Sequence, residues 1–340
     1  MLNIGIVGLG FMGRIHFLGA KGLKGARVAA VCSRDKAKLK GDWTNTRGNF
    51  GPPPGHVDLS GITTCDSLDK LLADKSIDLI DICNPTDLHP ATAIAALEAG
   101  KHVLVEKAIA LTEHDADRML AAAKKSGKLL MVAHVLPFFD EFAFAAEMVR
   151  SGKHGKLLGA HFTRVIAKPD WSAEIGDASK TGGPAVDLHI HDTHFIGLIA
   201  GVPKQVFATG VVDGEAVTYL TTQYLYGPGG PSVTCSSGAV AMPGRPFVHG
   251  FEIFLEKATL SLNSAGVPLT VYDADGTTRQ PQFPGGGDPV AAFTNELQAA
   301  VDGVVAGKVP DLLSAQLARD ALVLCHRECE SVKTGRIVSV

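Results

Sequence analysis

The start of the chain limits the fold more than any other part. Leu2 to Val7 is an apolar run of strand character, and Gly8-Leu9-Gly10-Phe11-Met12-Gly13 follows at once. Alone, glycines at this spacing are a weak signal. Directly after a strand and opening a helix, they describe the first turn of a dinucleotide-binding βαβ unit. The first glycine permits a tight turn and the second lets the backbone approach a pyrophosphate. The third lets helix and strand pack closely, with the helix N-terminus facing the phosphates. Gly8, Gly10, Phe11, Met12 and Gly13 are therefore candidate cofactor-binding residues. The alternative is three glycines in a purely structural turn.

The pattern that follows fits such a unit. Apolar strand runs at 27–32, 77–83, 101–106 and 129–133 alternate with helical segments at 66–73, 89–99 and 112–127. Asp66 and Thr112 are expected as N-caps, with Asp115 three residues after Thr112, and Gly100 and Gly127 as helix stops. Alternating strands and short helices argue for a doubly wound parallel sheet over residues 1–130. Residues 41–61 contain Pro52-Pro53-Pro54 and read as a loop, because consecutive prolines forbid a helix.

After that the character changes. Residues 139–151 and 186–200 are helical in pattern. Strand-like runs at 157–166, 204–212, 215–226, 231–239, 247–262 and 268–273 are separated by Gly- and Pro-rich turns. Helical periodicity returns over about 291–334. The expected second domain, 131–315, is α+β with a large, mostly antiparallel open sheet. Two domains also follow from the length of 340 residues, since single cores stop growing at about 250–300.

The formal net charge of −3 carries no basic excess. Nucleic-acid and membrane-surface partners are not expected. No apolar run approaches the roughly 20 residues of a membrane span. The N-terminus enters a strand pattern directly, so no secretory leader is expected. Six scattered cysteines, without paired spacing, fit reduced thiols in a cytoplasmic protein.

Cofactor preference depends on the end of the second strand. NAD-binding chains place an acid about 20 residues after the glycines to hold the ribose hydroxyls. That count lands on Ser33, followed by Arg34. A serine and an arginine suit a 2′-phosphate, where a carboxylate would repel it. NADP(H) is the expected preference over NAD(H). In the alternative, Arg34 is a solvated loop charge and Asp35 takes the ribose.

Two further segments carry chemistry. Val105-Glu106-Lys107-Ala108 ends a parallel strand, and ligands bind beyond such strand ends. Lys107 can then point into a nicotinamide site, or it can be a snorkelling surface lysine. The second segment runs from Gly182 to His194. On a helix, Asp187 and His191 share one face, with His194 three residues on. Histidine suits proton removal from an alcohol near neutral pH. His189 points away from that face and is expected to pack. Three histidines and two aspartates so close also suggest a metal, but one helix face supplies only two or three ligands and no second cluster is evident. No metal is expected.

Together these segments resemble the glucose–fructose oxidoreductase / inositol dehydrogenase (Gfo/Idh/MocA) family over nearly the whole chain. The resemblance rests on the glycine motif, Asn84-Pro85-Thr86-Asp87-Leu88-His89, Glu106-Lys107, Asp187-xxx-His191, and the tail around Ala318–Leu322 and Glu330–Arg336. It implies an NAD(P)-dependent oxidoreductase transferring hydride to or from a sugar, cyclitol or related polyol. Lys107 would bind the substrate hydroxyl, His191 would be the general acid/base, and Asp187 would orient one of them or bind a neighbouring hydroxyl. Asn84, Pro85, His89 and Glu106 would position the cofactor. The tail, 316–340, would pack back on the first domain. A partner subunit would cover the open sheet, giving a homodimer or homotetramer.

The chain departs from the family pattern at Ala108, where proline is usual, at His194, where many relatives have aspartate, and in the loop 41–61. Candidate substrate contacts are His134, Lys168, Trp171 and His194, with His161, Arg164 and Asp170 further polar neighbours. Alternatives are transient use of bound NAD(H) for glycoside cleavage or epimerisation, a non-catalytic dinucleotide sensor, and a metal-dependent sugar isomerase.

Overall fold

The computed structural model describes residues 1–168, 177–283, 288 and 290–340. The chain forms two compact units. One comprises Met1–Phe138 with Gly287–Arg319, the other Phe139–Gly286 with Asp320–Val340.

The first unit opens with β1 (Leu2–Val7), α1 (Phe11–Gly19), β2 (Ala26–Cys32), β3 (Thr63–Cys65) and α2 (Leu68–Ala73). It continues with β4 (Leu79–Ile82), α3 (His89–Glu98), β5 (His102–Glu106), α4 (Glu113–Ser126) and β6 (Leu130–Ala133). The six strands form one parallel sheet in the order β3-β2-β1-β4-β5-β6. Helices cover both faces of such a sheet, so its strands need apolar side chains on both sides. Every residue of β4 and β6 is buried accordingly. The winding reverses between β1 and β4, which places a crevice at their carboxyl ends.

Capping chemistry sets the helix limits. The Thr112 hydroxyl accepts the Asp115 N–H at 3.1 Å, and Gly127 closes α4 with φ 66°. At α2 the cap is Ser67 and not Asp66. Ser67 has the extended backbone a cap needs and accepts the Lys70 N–H, while Asp66 pairs with the Lys70 ammonium at 2.7 Å.

The loop 41–61 is tied to α1 residue by residue. Trp43 is fully buried, meets Phe17 edge-on at 4.9 Å and donates its indole N–H to the Lys38 carbonyl. Prolines lack an N–H but keep their carbonyls. Arg14 donates to those of Pro52 and Pro53, at 2.5 and 2.6 Å. Phe50 lies against Phe11 at 4.8 Å and against Phe293 at 5.4 Å.

The second unit contains α5 (Asp140–Arg150), β7 (Leu157–Ala167), α6 (Ala178–Thr181), α7 (Pro184–Asp187) and α8 (Ile190–Ala200). Strands β8 (Gln205–Asp213), β9 (Ala216–Leu225), β10 (Ser232–Ala241), β11 (Val248–Leu255), β12 (Ala258–Asn263), β13 (Val267–Asp273) and β14 (Thr278–Arg279) follow. The chain ends with α9 (Ala291–Ala306), α10 (Ala315–Thr334) and β15 (Val338–Ser339). The nine-stranded sheet runs β14-β13-β12-β11-β7-β10-β9-β8-β15. All neighbours are antiparallel except β7 and β10. The run expected as one strand at 247–262 is two. Glu256 and Lys257 turn the chain there, donating their N–H groups to the Lys156 and His154 carbonyls.

One face of this sheet is the core of the unit, with Phe142 of α5 touching Phe195 of α8 at 5.1 Å and Phe251 of β11 at 5.2 Å. The other face carries cross-strand rows such as Phe207, Gln223, Thr234, His161, Glu252 and Ser261. It is hydroxyl-rich, with exposed apolar groups at Leu158, Phe207, Phe254 and Tyr272, and so is more polar than an open apolar face. In the first unit α9 packs on α1, where the Thr294 hydroxyl donates to the Gly19 carbonyl at 3.2 Å.

Candidate active site

The glycine turn has the three geometries its spacing predicts. Gly8 has φ 93°, and a Cβ there would sit 2.6 Å from the Asn84 nitrogen at the end of β4. A Cβ on Gly13 would lie 1.9 Å from the Gly8 carbonyl oxygen. A Cβ on Gly10 would meet nothing within 4 Å. The first and third glycines are therefore required by close backbone packing, and the second faces open space at the N-terminus of α1. A dinucleotide pyrophosphate fits that arrangement.

The other first-unit candidates fall at the same edge of the sheet. Val7 is in register with Ile82, Ile82 with Val105, and Glu106 with Ala133. Gly8, Asn84-Pro85, Glu106-Lys107 and His134 thus leave the carboxyl ends of four adjacent strands. The Asn84 amide donates to the Thr92 hydroxyl at 2.9 Å. The His89 imidazole lies 2.9 Å from the Asn84 carbonyl and 2.8 Å from that of Ala108, joining the turn after β4 to the one after β5. Burial lowers its basicity. Lys107 is half-buried, Ala108 and His134 are buried, and the Lys107–Ala108 peptide is cis.

At the end of β2, Ser33 and Arg34 follow Cys32 directly. The Ser33 hydroxyl accepts the Asp35 N–H at 3.1 Å, and the Asp35 carboxylate accepts the Ala37 N–H at 2.9 Å. Asp35 thereby caps its own turn, while Arg34 is exposed.

In the second unit the segment 182–194 is two helices, not one. Asp187 ends α7, His191 lies in the first turn of α8, and Leu188 and His189 join them. Asp187 and His191 are half-buried, whereas His189, Asp192 and His194 are buried. His189 contacts the Glu328 carboxylate at 2.6 Å, and Asp192 accepts two bonds from Arg164 at 2.7 and 3.0 Å. His189 and Arg164 are thus committed to internal pairs. Burial pushes His194 down to about 3, so its imidazole is neutral at working pH. His161 is exposed on the open face of the sheet, bonded to Thr234 at 2.8 Å. Lys168 is exposed at the end of β7. Asp170 and Trp171 lie outside the described residues.

One group of residues has no counterpart in the sequence reading beyond Glu106. His16 of α1 is 0% exposed. Its Nδ1 sits between the two Asp81 oxygens at 3.0 and 2.9 Å, and its Nε2 is 3.0 Å from Glu106 Oε1. Cys83 Sγ lies 3.5 Å from the same Nδ1. Burial is the largest single influence and opposes charge on this imidazole, but Asp81 and Cys83 together outweigh it and hold His16 well above its ordinary value. Glu296 of α9 is also 0% exposed, and neither of its oxygens has a hydrogen-bond partner among the described residues. Burial, with Glu106 and Asp81 nearby, holds it well above the usual carboxylate range. The signal in the sequence was Asp81, an acid inside the apolar strand Leu79-Ile80-Asp81-Ile82, which needs a buried partner.

Sheet order, glycine turn and strand-end residues define a dinucleotide-binding Rossmann unit, followed by a unit built on an open antiparallel sheet. Comparison with known proteins agrees. Residues 2–134 match the oxidoreductase family model with an NAD-binding Rossmann fold, and residues 142–261 match the GFO/IDH/MocA C-terminal domain. The chain belongs to the GFO/IDH/MocA oxidoreductase family. It is 30% identical to an uncharacterized oxidoreductase, ORF334, of Rhizobium meliloti over 71% of this chain and 68% of the relative. It is 28% identical to the myo-inositol 2-dehydrogenase of Thermotoga maritima over 63% of this chain and 60% of that protein. Several curated relatives are matched over less than two thirds of their own length. A levoglucosan dehydrogenase solved with NADH and levoglucosan shares the fold, with a TM-score of 0.85 at 20% identity, covering 100% of this chain and 99% of that one. Among the described residues, no helix is long and apolar enough to cross a membrane.

Proposed function

We propose that this chain is an NAD(P)-dependent dehydrogenase or reductase acting on a hydroxyl or carbonyl of a sugar, cyclitol or related polyol. The observation that carries the proposal is the carboxyl edge of the parallel sheet. There the open glycine turn, Asn84-Pro85 and Glu106-Lys107 leave neighbouring strands across the point where the winding reverses. The names of the relatives support a polyhydroxylated substrate.

In this proposal the first unit holds the dinucleotide. When bound, the nicotinamide accepts the hydride of an alcohol under oxidation, or returns it to a carbonyl. Lys107 donates to the substrate oxygen, and its positive charge lowers the cost of alkoxide character. His191 takes the hydroxyl proton as general base, or supplies it in reduction. Asp187, four residues earlier, orients one of these groups or binds an adjacent hydroxyl. His134, Lys168, Trp171 and His194 complete the substrate side, His194 as a neutral imidazole. Six free thiols, including the register partners Cys32 and Cys65, suit a cytoplasmic location.

We further assign a preference for NADP(H), because the Ser33 hydroxyl, which accepts the Asp35 N–H, keeps its proton to donate and the exposed Arg34 can pair with a 2′-phosphate, while Asp35 Oδ1 accepts N–H groups of its own turn. Steady-state kinetics with both dinucleotides tests this. A higher kcat/KM is expected with NADP. Arg34→Glu should cut kcat/KM for NADP by about 10- to 100-fold, the worth of one charge-assisted hydrogen bond. Equal or better use of NAD by the unaltered protein refutes the preference.

The exposed Leu158, Phe207, Phe254 and Tyr272 on the open sheet suit a second copy of the chain. Sedimentation at micromolar concentration should show a dimer or tetramer, and a monomer counts against this contact.

A further inference from the structure

We propose that His16 is a positioning residue of the active site. As an imidazolium clamped between Asp81 and Glu106, it fixes the Glu106 carboxylate, and that carboxylate fixes the backbone of Lys107. The link to activity rests on the role proposed above for Lys107.

With Asp81 and Glu106 both ionised, the geometry requires it. An ionised carboxylate only accepts hydrogen bonds, and a neutral imidazole donates from one nitrogen alone. His16 has Asp81 on Nδ1 at 2.9 Å and Glu106 on Nε2 at 3.0 Å. Satisfying both requires two N–H donors. The second Glu106 oxygen accepts the Lys107 N–H at 3.0 Å. A single path of hydrogen bonds therefore runs from β4 through α1 to the end of β5, where Lys107 leaves the strand. Because Lys107 is the next residue after Glu106, rotation of that carboxylate would release the backbone that aims its side chain.

The surroundings keep this charge in place. The titratable groups facing His16 are Asp81 and Cys83 from β4 and its end, Glu106 from β5, and Glu296 from α9. Phe293 of α9 closes the remaining side, with ring centroids 6.1 Å apart. Three acids around one imidazolium leave an excess of negative charge if all ionise. A neutral Glu296 removes one unit of it, as its burial beside Glu106 favours. His16, Asp81 and Cys83 also have the separations of a metal site, since their ligand atoms lie within 4.8 Å of one another. A metal on Nδ1 would require that nitrogen to lose its proton, so the two assignments exclude each other.

Two measurements test the clamp. The first needs no turnover. Imidazole 15N resonances of the intact protein, with His16 assigned by difference from His16→Gln, should show both ring nitrogens protonated at about pH 8, beyond the ordinary histidine range. Asp81→Asn removes the charge that holds the proton, so in that variant the imidazole should turn neutral at a lower pH than in the parent. A neutral His16 in the unaltered protein at about pH 8, or one equivalent of tightly held metal by elemental analysis, overturns the proposal.

The second measurement is kinetic. A histidine's charged form is present below its pKa and lost above it. The ratio of Asp81→Asn to wild-type kcat should therefore fall by about tenfold or more from the acid to the alkaline side of the variant's imidazole transition, as located by the 15N spectra, a lost positioning effect of ordinary size. Dinucleotide Kd, set by the glycine turn, should stay within about threefold. A merely structural loss would lower the ratio equally at every pH, and a flat ratio refutes positioning. If no polyol is turned over at all, the active-site proposal fails by itself. The clamp is then judged by the 15N spectrum and by exchange of the Lys107 amide, whose protection relative to the intrinsic base-catalysed rate should fall with rising pH in Asp81→Asn and hold in the parent.

Discussion

Lys107→Ala and His191→Ala should each lower kcat by about 10² or more if the proposed roles hold, the usual size of a lost proton-transfer group. Lys107 is half-buried at the end of β5 and His191 is half-buried in the first turn of α8. Neither is among the fully buried core residues, so truncation should leave the unfolding midpoint close to that of the parent. The dinucleotide Kd, read by nicotinamide fluorescence, should change little in either variant, because the proposed site for the phosphates is the glycine turn. The two losses should also fail to add. Once the hydroxyl proton cannot be taken, a lysine that polarises the oxygen has little left to contribute, as residues acting as one unit behave. Near-parental turnover in either single variant removes that residue from the mechanism. Full additivity would mean that the two act in separate steps.

These two residues show what the sequence made legible. A lysine right after a buried parallel strand, and a histidine four residues past an aspartate, are local patterns; the structure finds the strand in place but divides Asp187 and His191 between two helices. The glycine turn was legible for the same reason at Gly13, which packs on the Gly8 carbonyl within the turn, while Gly8 answers Asn84 after β4 and Gly10 answers no protein atom within 4 Å. What escaped was non-local. His16, Asp81 and Glu106 are separated by 65 and 90 residues from His16, and only the parallel sheet order brings them together. Glu296 is farther still along the chain, and nothing in its amphipathic helix says which sheet that helix will cover. Ser67 displaced Asp66 as a cap because both can cap and only backbone angles decide. The break between α7 and α8 was hidden because residues on either side keep helical spacing. The turn at Glu256-Lys257 was masked by β-formers on both sides, which read as one strand until the pairing of β11 with β12 shows the reversal.

Gly13→Ala and Gly10→Ala should separate folding from cofactor binding. At Gly13 an added methyl would stand 1.9 Å from the Gly8 carbonyl oxygen. That neighbour is backbone, held in the turn by the Gly8 N–H bond to Cys32 and by the contact of Gly8 with Asn84. The oxygen cannot move aside like a flexible side chain. Overpacking of this kind costs about 1–3 kcal/mol and more where the backbone must shift. Gly13→Ala should therefore lower the denaturant midpoint of the first unit and abolish dinucleotide binding with it. At Gly10 the same methyl meets no protein atom within 4 Å, so the midpoint should barely move. Yet the open space beside Gly10 is where a pyrophosphate would approach the α1 N-terminus, and a methyl there holds it off the N–H groups. Kd should rise by about tenfold or more, the equivalent of one good hydrogen bond lost. If Gly10→Ala bound the dinucleotide as tightly as the parent, the phosphates would not sit on this turn. Unchanged stability in Gly13→Ala would mean that α1 and β1 pack less closely than the distances require.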